Sequence, residues 1–144
     1  MLSKLVALVA AIQGASPALS HTTALTYARW VDRTAHEYRL DPWIFVAIVD
    51  HETRWDAHAV RHEHDGSCSV GLGQINGSCS DGFIVPLQDP YINIRRMGAF
   101  LQHLKSSCRY SCGDLGWLRG YNSGSERYLS GVQAEVRKHH GKAP

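Results

Sequence analysis

Apolar residues in the first half of the chain follow two helical patterns. Over residues 23–39 they recur every three to four positions, which predicts an amphipathic helix with one face in the core. The residues on that face are Ala24, Ala28, Val31, Ala35 and Tyr38. After Asp41-Pro42, every position from Trp43 to Val49 is apolar. Aspartate as the N-cap and proline at the first helical position begin a helix, and its apolar surface on all sides places it at the centre of the core.

The pattern changes over residues 53–89, where glycine, serine, histidine and aspartate replace the regular apolar spacing. This composition predicts a loop-rich region that can include a short hairpin, beside a groove. Asp89-Pro90 begins another helix that ends near Cys108. A short helix over residues 114–121 and a last one over residues 125–138 complete the pattern. The predicted fold class is therefore mainly α, with a loop-rich or small β region next to the groove.

The N-terminal segment differs from the rest of the chain. Lys4 precedes an apolar run, Leu5 to Ile12, and small residues follow up to Ser20. This order predicts a secretory signal over residues 1–20, cleaved after Ala18 or Ser20. The run is too short to cross a bilayer of about 30 Å as a helix, so the alternatives are an uncleaved anchor or a plain N-terminal helix. The predicted domain then covers residues 23–138, with a C-terminal tail at 139–144.

Length and charge restrict the class of protein. The chain has 144 residues, enough for one domain, and its formal net charge is +2. Such a charge favours weak attraction to an anionic polymer and is far from the basic surface of a nucleic-acid-binding domain. We therefore expect no nucleic-acid partner. The predicted signal places the chain in the periplasm or outside the cell, and we also expect no cofactor and a monomer.

The cysteines predict disulfides. All four, Cys68, Cys79, Cys108 and Cys112, follow the predicted signal, and an even number in an exported chain favours two bridges. Three pairings are possible, and we favour the two local ones, Cys68 with Cys79 and Cys108 with Cys112. A zinc site is the alternative, but the cysteine spacings and the absence of regularly spaced histidines make a poor ligand set.

The first candidate for chemistry is Glu52, at the C-terminal end of the most buried predicted helix. The helix dipole and desolvation both disfavour a charged carboxylate there. A general acid must still be protonated near neutral pH, and burial beside Trp55 raises the pKa of the Glu52 carboxyl group. The alternative for Glu52 alone is a solvated residue at a helix end.

Three motifs around and after Glu52 occur in a fixed order. They are Asp50-His51-Glu52-Thr53, then Gly71-Leu72-Gly73-Gln74-Ile75-Asn76, then Gly120-Tyr121-Asn122-Ser123-Gly124. Their order and spacing resemble the lytic transglycosylase family, whose pattern is Glu-Ser, Gly-Leu-Met-Gln-Ile and Ala-Tyr-Asn-x-Gly. Three ordered motifs over about seventy residues are far more specific than any one of them. The version with Gly-Leu-x-Gln-Ile-Asn is most similar to the small members that accompany secretion and conjugation machines.

The resemblance implies a lysozyme-like fold and a peptidoglycan substrate. It implies that Glu52 is the catalytic acid and then base, and that the product carries a 1,6-anhydromuramoyl end. The substrate-binding residues that it implies are Thr53, Gly71, Gly73, Gln74, Tyr121 and Asn122. The glycines have an alternative in backbone geometry alone, and Gln74, Tyr121 and Asn122 have one in capping or core packing. The groove serine of many members falls on Arg61, with Ser67 or Ser69 as replacements.

Two other functions remain open. A hydrolase resembling goose-type lysozyme needs a second carboxylate, Asp65 or Asp56, to position water. A non-catalytic glycan-binding component of an envelope machine binds peptidoglycan without cleaving it.

The histidines do not predict a metal site. His51-Glu52 begins the zinc-protease pattern His-Glu-x-x-His, but Trp55 stands where the second histidine is required. His58, His62 and His64 lie in the polar loop and are expected to be surface residues.

Overall fold

A computed structural model describes residues 2–108, 112–122 and 125–140. The protein is mainly helical, as predicted, with a small sheet. Its helices are α1 (Leu2–Ala15), α2 (His21–Glu37), α3 (Pro42–Glu52), α4 (Asp81–Leu87), α5 (Pro90–Ser107), a 3₁₀ helix (Gly116–Asn122) and α6 (Glu126–His140). Its strands are β1 (Val60–His62), β2 (Cys68–Val70) and β3 (Ile75–Gly77).

Helix α3 lies at the centre of the core. The Asp41 side chain accepts a hydrogen bond from the Trp43 backbone N–H at 3.0 Å, and Pro42 occupies the first turn, so the helix begins as predicted. Every residue from Trp43 to Val49 is buried. Helices α1, α2 and α6 all contact α3. The apolar surface of α3 is thereby covered, and its C-terminal end at Glu52 is left facing the loop region.

Helix α1 packs against α2 and α3 and fully buries Leu8 and Ile12. Helix α2 begins two residues earlier than predicted, because the Ser20 hydroxyl caps it by accepting a hydrogen bond from the Thr23 N–H at 3.1 Å. The predicted signal segment therefore forms a packed helix here. Within the described ranges no helix is long and apolar enough to cross a membrane.

The loop-rich region contains more regular structure than predicted. Its strands form an antiparallel sheet in the order β1-β2-β3, with Val60 opposite Val70 and Ser69 opposite Asn76. Helix α4 follows the sheet, and Leu87 at its end joins Cys68 and Val70 in a small second core. The pattern does not predict α4 because this short helix contains Gly82 and Pro86, which are typical of loops.

Both predicted cysteine pairs lie at disulfide distance. The Cα atoms of Cys68 and Cys79 are 5.0 Å apart, and those of Cys108 and Cys112 are 5.2 Å apart. The first pair ties β2 to the segment after β3. The second pair ties the end of α5 to the segment before the 3₁₀ helix.

The last helix extends further than predicted. Helix α6 reaches His140, so two residues assigned to a tail are helical. The His139 ring stacks on Trp43 at 4.3 Å between centroids, and His140 pairs with Asp41. These contacts hold the end of α6 against the start of α3. Residues 141–144 of the predicted tail lie outside the described residues.

Candidate functional site

Glu52 is the last residue of α3 and is half-buried. Burial raises the pKa of its carboxyl group, and the negative charge of Glu63 adds to the rise. The positive charge of Arg61 and the Tyr128 hydroxyl act in the opposite direction. Since burial is the largest of these effects, Glu52 retains its proton to a higher pH than an exposed glutamate.

The turn after Glu52 ends α3 abruptly. Arg54 and Trp55 both have left-handed backbone conformations, with φ of 49° and 68°, which is unusual for large side chains. The Trp55 indole compensates for this because its N–H donates to Asp50 Oδ1 at 2.5 Å and its ring stacks on Tyr27. Trp55 is 2% exposed. Its buried anchor therefore fixes the position of the helix end that carries Glu52.

Two tyrosines from different elements lie together at the site. The rings of Tyr121 and Tyr128 stack with centroids 6.3 Å apart and an interplanar angle of 4°. Burial raises the pKa of both hydroxyls well above the usual value, and the charge of Glu52 adds to this rise. Both tyrosines are therefore neutral hydrogen-bond donors near neutral pH.

The two hydroxyl groups differ in their partners. Tyr121 donates to the Gly73 carbonyl at 2.6 Å. The buried Tyr128 hydroxyl has no partner of full hydrogen-bond geometry among the described residues. It is nevertheless near enough to Glu52 to lower the pKa of that carboxyl group. Tyr128 therefore has a donor available for Glu52.

The glycine-rich turn between β2 and β3 lies against the same helix end. Thr53 Oγ1 donates to the Leu72 carbonyl at 2.8 Å. The Tyr121 hydroxyl donates to the carbonyl of the next residue, Gly73. The motif residues Thr53, Gly73 and Tyr121 are thus in one connected structure with Glu52, although they are separated in sequence. This is the grouping that the three motifs predict.

The glycines of this turn are required by packing. Gly71 has φ of +75°, and a Cβ there would lie 2.2 Å from the Leu87 carbonyl oxygen. A Cβ on Gly73 would lie 2.5 Å from Met97 Sδ and 2.7 Å from the Tyr121 hydroxyl. No side chain fits at either distance. The close approach of α5 and Tyr121 accounts for both glycines without a ligand.

Gln74 and Asn122 occupy different environments. The Gln74 amide donates to the Gly71 carbonyl at 3.1 Å, so its own loop orients it. Asn122 is exposed at the end of the 3₁₀ helix, and its backbone carbonyl accepts from the Ser125 N–H at 3.0 Å. Gln74 thus belongs to the connected structure at Glu52, while Asn122 lies at its solvent edge.

A cavity of about 820 Å³ extends from this turn between β3, α5 and the 3₁₀ helix. Its lining combines aromatic rings with polar and cationic side chains. The residues concerned are Gln74, Arg96, Phe100, His103, Trp117 and Tyr121. Since Gln74 and Tyr121 belong to both the cavity and the Glu52 site, the cavity continues the site along one side.

No family model matches this chain, and no significant match exists among the curated proteins or the solved structures. The site is therefore interpreted from its own geometry.

Asn93 is a central residue that the motifs do not indicate. It is fully buried on α5. Its side-chain oxygen accepts from the Gly73 N–H at 2.9 Å, and its amide donates to the Val70 and Leu87 carbonyls, each at 2.9 Å. One side chain thus holds the glycine-rich turn and the end of α4. An asparagine on the apolar stripe of a predicted helix is the only sequence signal for it.

The carboxylate that acts on the pKa of Glu52 is not one of the two that the sequence suggested for a hydrolase. Glu63, rather than Asp56 or Asp65, contributes to the pKa of Glu52. Ser69 and Arg61 donate to Glu63 Oε1 at 2.7 Å and 2.8 Å. The Asp56 carboxylate instead accepts from the His58 N–H, and the Asp65 carboxylate from Ser67.

The loop histidines do not form a metal site with the cysteines. His62 lies within reach of the sulfurs of Cys68 and Cys79, but these two cysteines are paired with each other. Disulfide sulfur lacks the thiolate that binds a metal.

Proposed function

We propose that this chain is a peptidoglycan lytic transglycosylase. It cleaves the β-1,4 bond between MurNAc and GlcNAc and leaves a 1,6-anhydroMurNAc end. The observation that carries the proposal is the half-buried Glu52, with a raised pKa, beside two neutral tyrosines and the glycine-rich turn. We further propose that this arrangement of core helix end, turn and small sheet belongs to the lysozyme-like fold.

One carboxyl group suffices for this reaction. Protonated Glu52 donates its proton to the glycosidic oxygen, and the bond from that oxygen to C1 of MurNAc breaks. The C6 hydroxyl of the same MurNAc then forms a bond to C1, and the Glu52 carboxylate accepts the hydroxyl proton. Glu52 ends in its starting state, and no water is consumed. A hydrolase instead needs a second carboxylate to act on water or on the sugar.

The other carboxylates near the turn are poorly suited to be that second group. Hydrogen bonds from Ser69 and Arg61 lower the pKa of Glu63, and hydrogen bonds from Ser67 lower the pKa of Asp65. A general base works best when its pKa is close to the working pH. Both groups are therefore weak bases, which favours a mechanism that uses Glu52 alone.

The cavity that extends from the glycine-rich turn suits a glycan strand. Sugar-binding sites are concave and combine apolar faces with a few oriented polar groups. Phe100, Trp117 and Tyr121 supply ring surfaces, and Gln74 supplies an amide that its own loop orients. We propose that the strand lies along this cavity with the scissile bond at Glu52.

Reduction of the products distinguishes the two enzymatic possibilities. Purified peptidoglycan is digested with the full chain, and the products are treated with borohydride and weighed by mass spectrometry. A 1,6-anhydro end has no free aldehyde and takes up no hydride, so we expect unchanged masses. A gain of two hydrogens at each new end contradicts the transglycosylase proposal.

The second candidate is a peptidoglycan hydrolase, and Glu63 is the observation that favours it. Glu63 is ionised and acts electrostatically on Glu52, as a water-positioning carboxylate requires. In a hydrolase Glu63→Gln removes most turnover and the new ends are reducible. In a transglycosylase the same variant retains activity, and its ends remain non-reducible.

The proposed substrate and the two cysteine pairs indicate the compartment in which the enzyme acts. Peptidoglycan lies outside the cytoplasmic membrane, and two cysteine pairs at disulfide distance fit an oxidising compartment. We propose export to the periplasm or the cell exterior, and action as a component of a secretion or conjugation machine.

A further inference from the structure

A second cluster of chemical groups joins α3 to α6 on a face of α3 away from Glu52. It consists of Asp50, Glu135 and His139, and one ligand atom from each lies within 4.8 Å of the others. Asp50 precedes Glu52 by two residues, which rotates its side chain by about 200° around the helix. The cluster is therefore separate from the site proposed for glycan cleavage.

Asp50 and His139 are each held in place by a neighbour outside the cluster. Asp50 Oδ1 accepts the Trp55 indole N–H at 2.5 Å. His139 stacks on Trp43 with an interplanar angle of 9°. Glu135 lies one helical turn before His139, with Oε1 and Nε2 3.8 Å apart. Neighbours that orient ligand side chains in this way are typical of metal sites.

The cluster is partly enclosed and still accessible. The side chains of His139 and Glu135 are 13% and 26% exposed. A cavity of about 800 Å³ between α1 and the ends of α3 and α6 is lined by all three members. The three ligands lie on α3 and α6, so removal of α1 with a signal segment leaves the ligand set intact. Lys138 also lines this cavity, and its positive charge acts to lower the pKa of Glu135. An ion therefore has an entry path and space for a water ligand.

The ligand types indicate which ion fits. Metal ligands bind in their deprotonated forms, and two carboxylates with one neutral imidazole then match the charge of a divalent cation. Calcium and magnesium prefer oxygen ligands alone, whereas zinc binds histidine nitrogen and carboxylate oxygen in tetrahedral sites. Three protein ligands and one water complete such a site.

We propose that Asp50, Glu135 and His139 bind one divalent transition-metal ion, with zinc preferred, and that this ion clamps α3 to α6. Helix α6 carries Tyr128, which faces Glu52, and α3 ends at Glu52. The clamp therefore fixes the two elements whose relative position sets the distance between those groups. This proposal does not depend on the reaction catalysed at Glu52.

Metal titration of the full chain tests the site. Protein without a polyhistidine tag is stripped with a chelator, and Zn²⁺ is added while heat of binding and thermal unfolding are followed. We expect one equivalent to bind and the Tm to rise. Co²⁺ serves as a spectroscopic probe, and intense visible absorption is expected for tetrahedral coordination by these ligands.

A matched pair of variants locates the ion. His139→Gln removes a ligand. Loss of an outer-shell partner weakens metal binding about 10- to 100-fold, and we expect a larger loss of zinc affinity here. His140→Gln alters the adjacent histidine, which pairs with Asp41 instead, and is expected to leave zinc affinity unchanged. Circular dichroism of both stripped variants shows whether they are folded.

Three results overturn the proposal. The first is absence of zinc binding by the folded wild-type chain. The second is equal affinity in the wild-type chain and a folded His139→Gln variant. The third is loss of binding in His140→Gln alone, which places the ion elsewhere. If His139→Gln does not fold, Glu135→Gln replaces it and must show the same loss of binding.

Discussion

Four features of its surroundings set the pKa of Glu52, two raising it and two lowering it. Burial and Glu63 favour the neutral acid, while Arg61 and the Tyr128 hydroxyl favour the carboxylate. The two that favour the carboxylate come from β1 and α6, which only folding brings near Glu52. The pKa of the acid is therefore a property of the assembled site rather than of the segment around Glu52.

Tyr128→Phe tests this account of the acid. The phenyl ring preserves the stacking on Tyr121 but removes the hydroxyl that stabilises the carboxylate, so the pKa of Glu52 rises further. An acid is active below its pKa, and activity is lost as the pH rises through that value. We therefore expect the basic limb of the pH–activity profile to move to higher pH.

The control for this variant is Tyr91→Phe, at an exposed tyrosine on α5, which is expected to leave the profile in place. A shift of the basic limb to lower pH in Tyr128→Phe contradicts the assigned role of the hydroxyl. The measurement is the initial rate of peptidoglycan solubilisation over a pH series.

The motifs predict some residues of the site and miss others for a physical reason. Glu52, Gln74 and Tyr121 lie in short patterns that can be recognised along the chain. Tyr128 and Asn93 act through contacts with distant segments, and each falls on the inward face of a helix. From the sequence alone, an inward-facing tyrosine or asparagine is interpreted as a core residue. Its contacts become visible only when the neighbouring element is known.

At the scale of elements, α5 and the glycine-rich turn hold each other through one buried side chain. Asn93 makes three hydrogen bonds to backbone groups of β2, the turn and α4. The Gly73 N–H lies in the turn and the Leu87 carbonyl lies at the end of α4, so neither is paired within the sheet. The amide of Asn93 thus replaces backbone pairing at the position where the turn meets Thr53 and Tyr121.

Asn93→Leu measures this connection. Leucine has a similar size but cannot make the hydrogen bonds to the Gly73 N–H and the Leu87 carbonyl, which lie outside the sheet. Each buried unsatisfied group costs about 1–3 kcal/mol, so we expect a loss of at least about 2 kcal/mol in the free energy of unfolding. Urea denaturation provides the value.

The matched control for Asn93→Leu is Gln102→Leu, at an exposed position of the same helix, with an expected change within about 0.5 kcal/mol. Equal stability of the two variants shows that Asn93 does not hold the turn.

The two cysteine pairs act at the same scale. Each closes a short loop, and the chain-entropy model gives about 2–4 kcal/mol for each bridge. We expect reductant to lower the urea midpoint of the folded protein accordingly. An unchanged unfolding curve in reductant shows that the bridges do not form or do not stabilise the fold.

At the scale of the whole molecule, the elements with strong patterns are predictable and the small sheet region is not. Helices α2, α3, α5 and α6 have apolar faces or aspartate-proline starts, and they form within a few residues of the expected positions. The strands are three residues each, which is too short for an alternating pattern. Their pairing depends on α4, the Cys68–Cys79 pair and Asn93, all of which act across the fold.

The N-terminal helix shows the same limit of local patterns. An apolar run with one lysine predicts a signal segment, and the same residues bury Leu8 and Ile12 against α2 and α3. Lys4 also pairs with Asp32 of α2 at 3.0 Å. The run itself fits both an export signal and a packed helix, since either needs a short apolar segment.

We propose that Glu52 catalyses formation of 1,6-anhydro ends. The most direct measurement is mass spectrometry of the muropeptides released from purified peptidoglycan by the full chain and by its Glu52→Gln variant. We expect products lighter by one water than those of a hydrolase, and a rate lower by at least about 10²- to 10⁴-fold in the folded variant, because glutamine cannot donate the proton. Equal release of muropeptides by both proteins contradicts this proposal. So does a wild-type chain that releases reducing-end muropeptides, or no muropeptides at all.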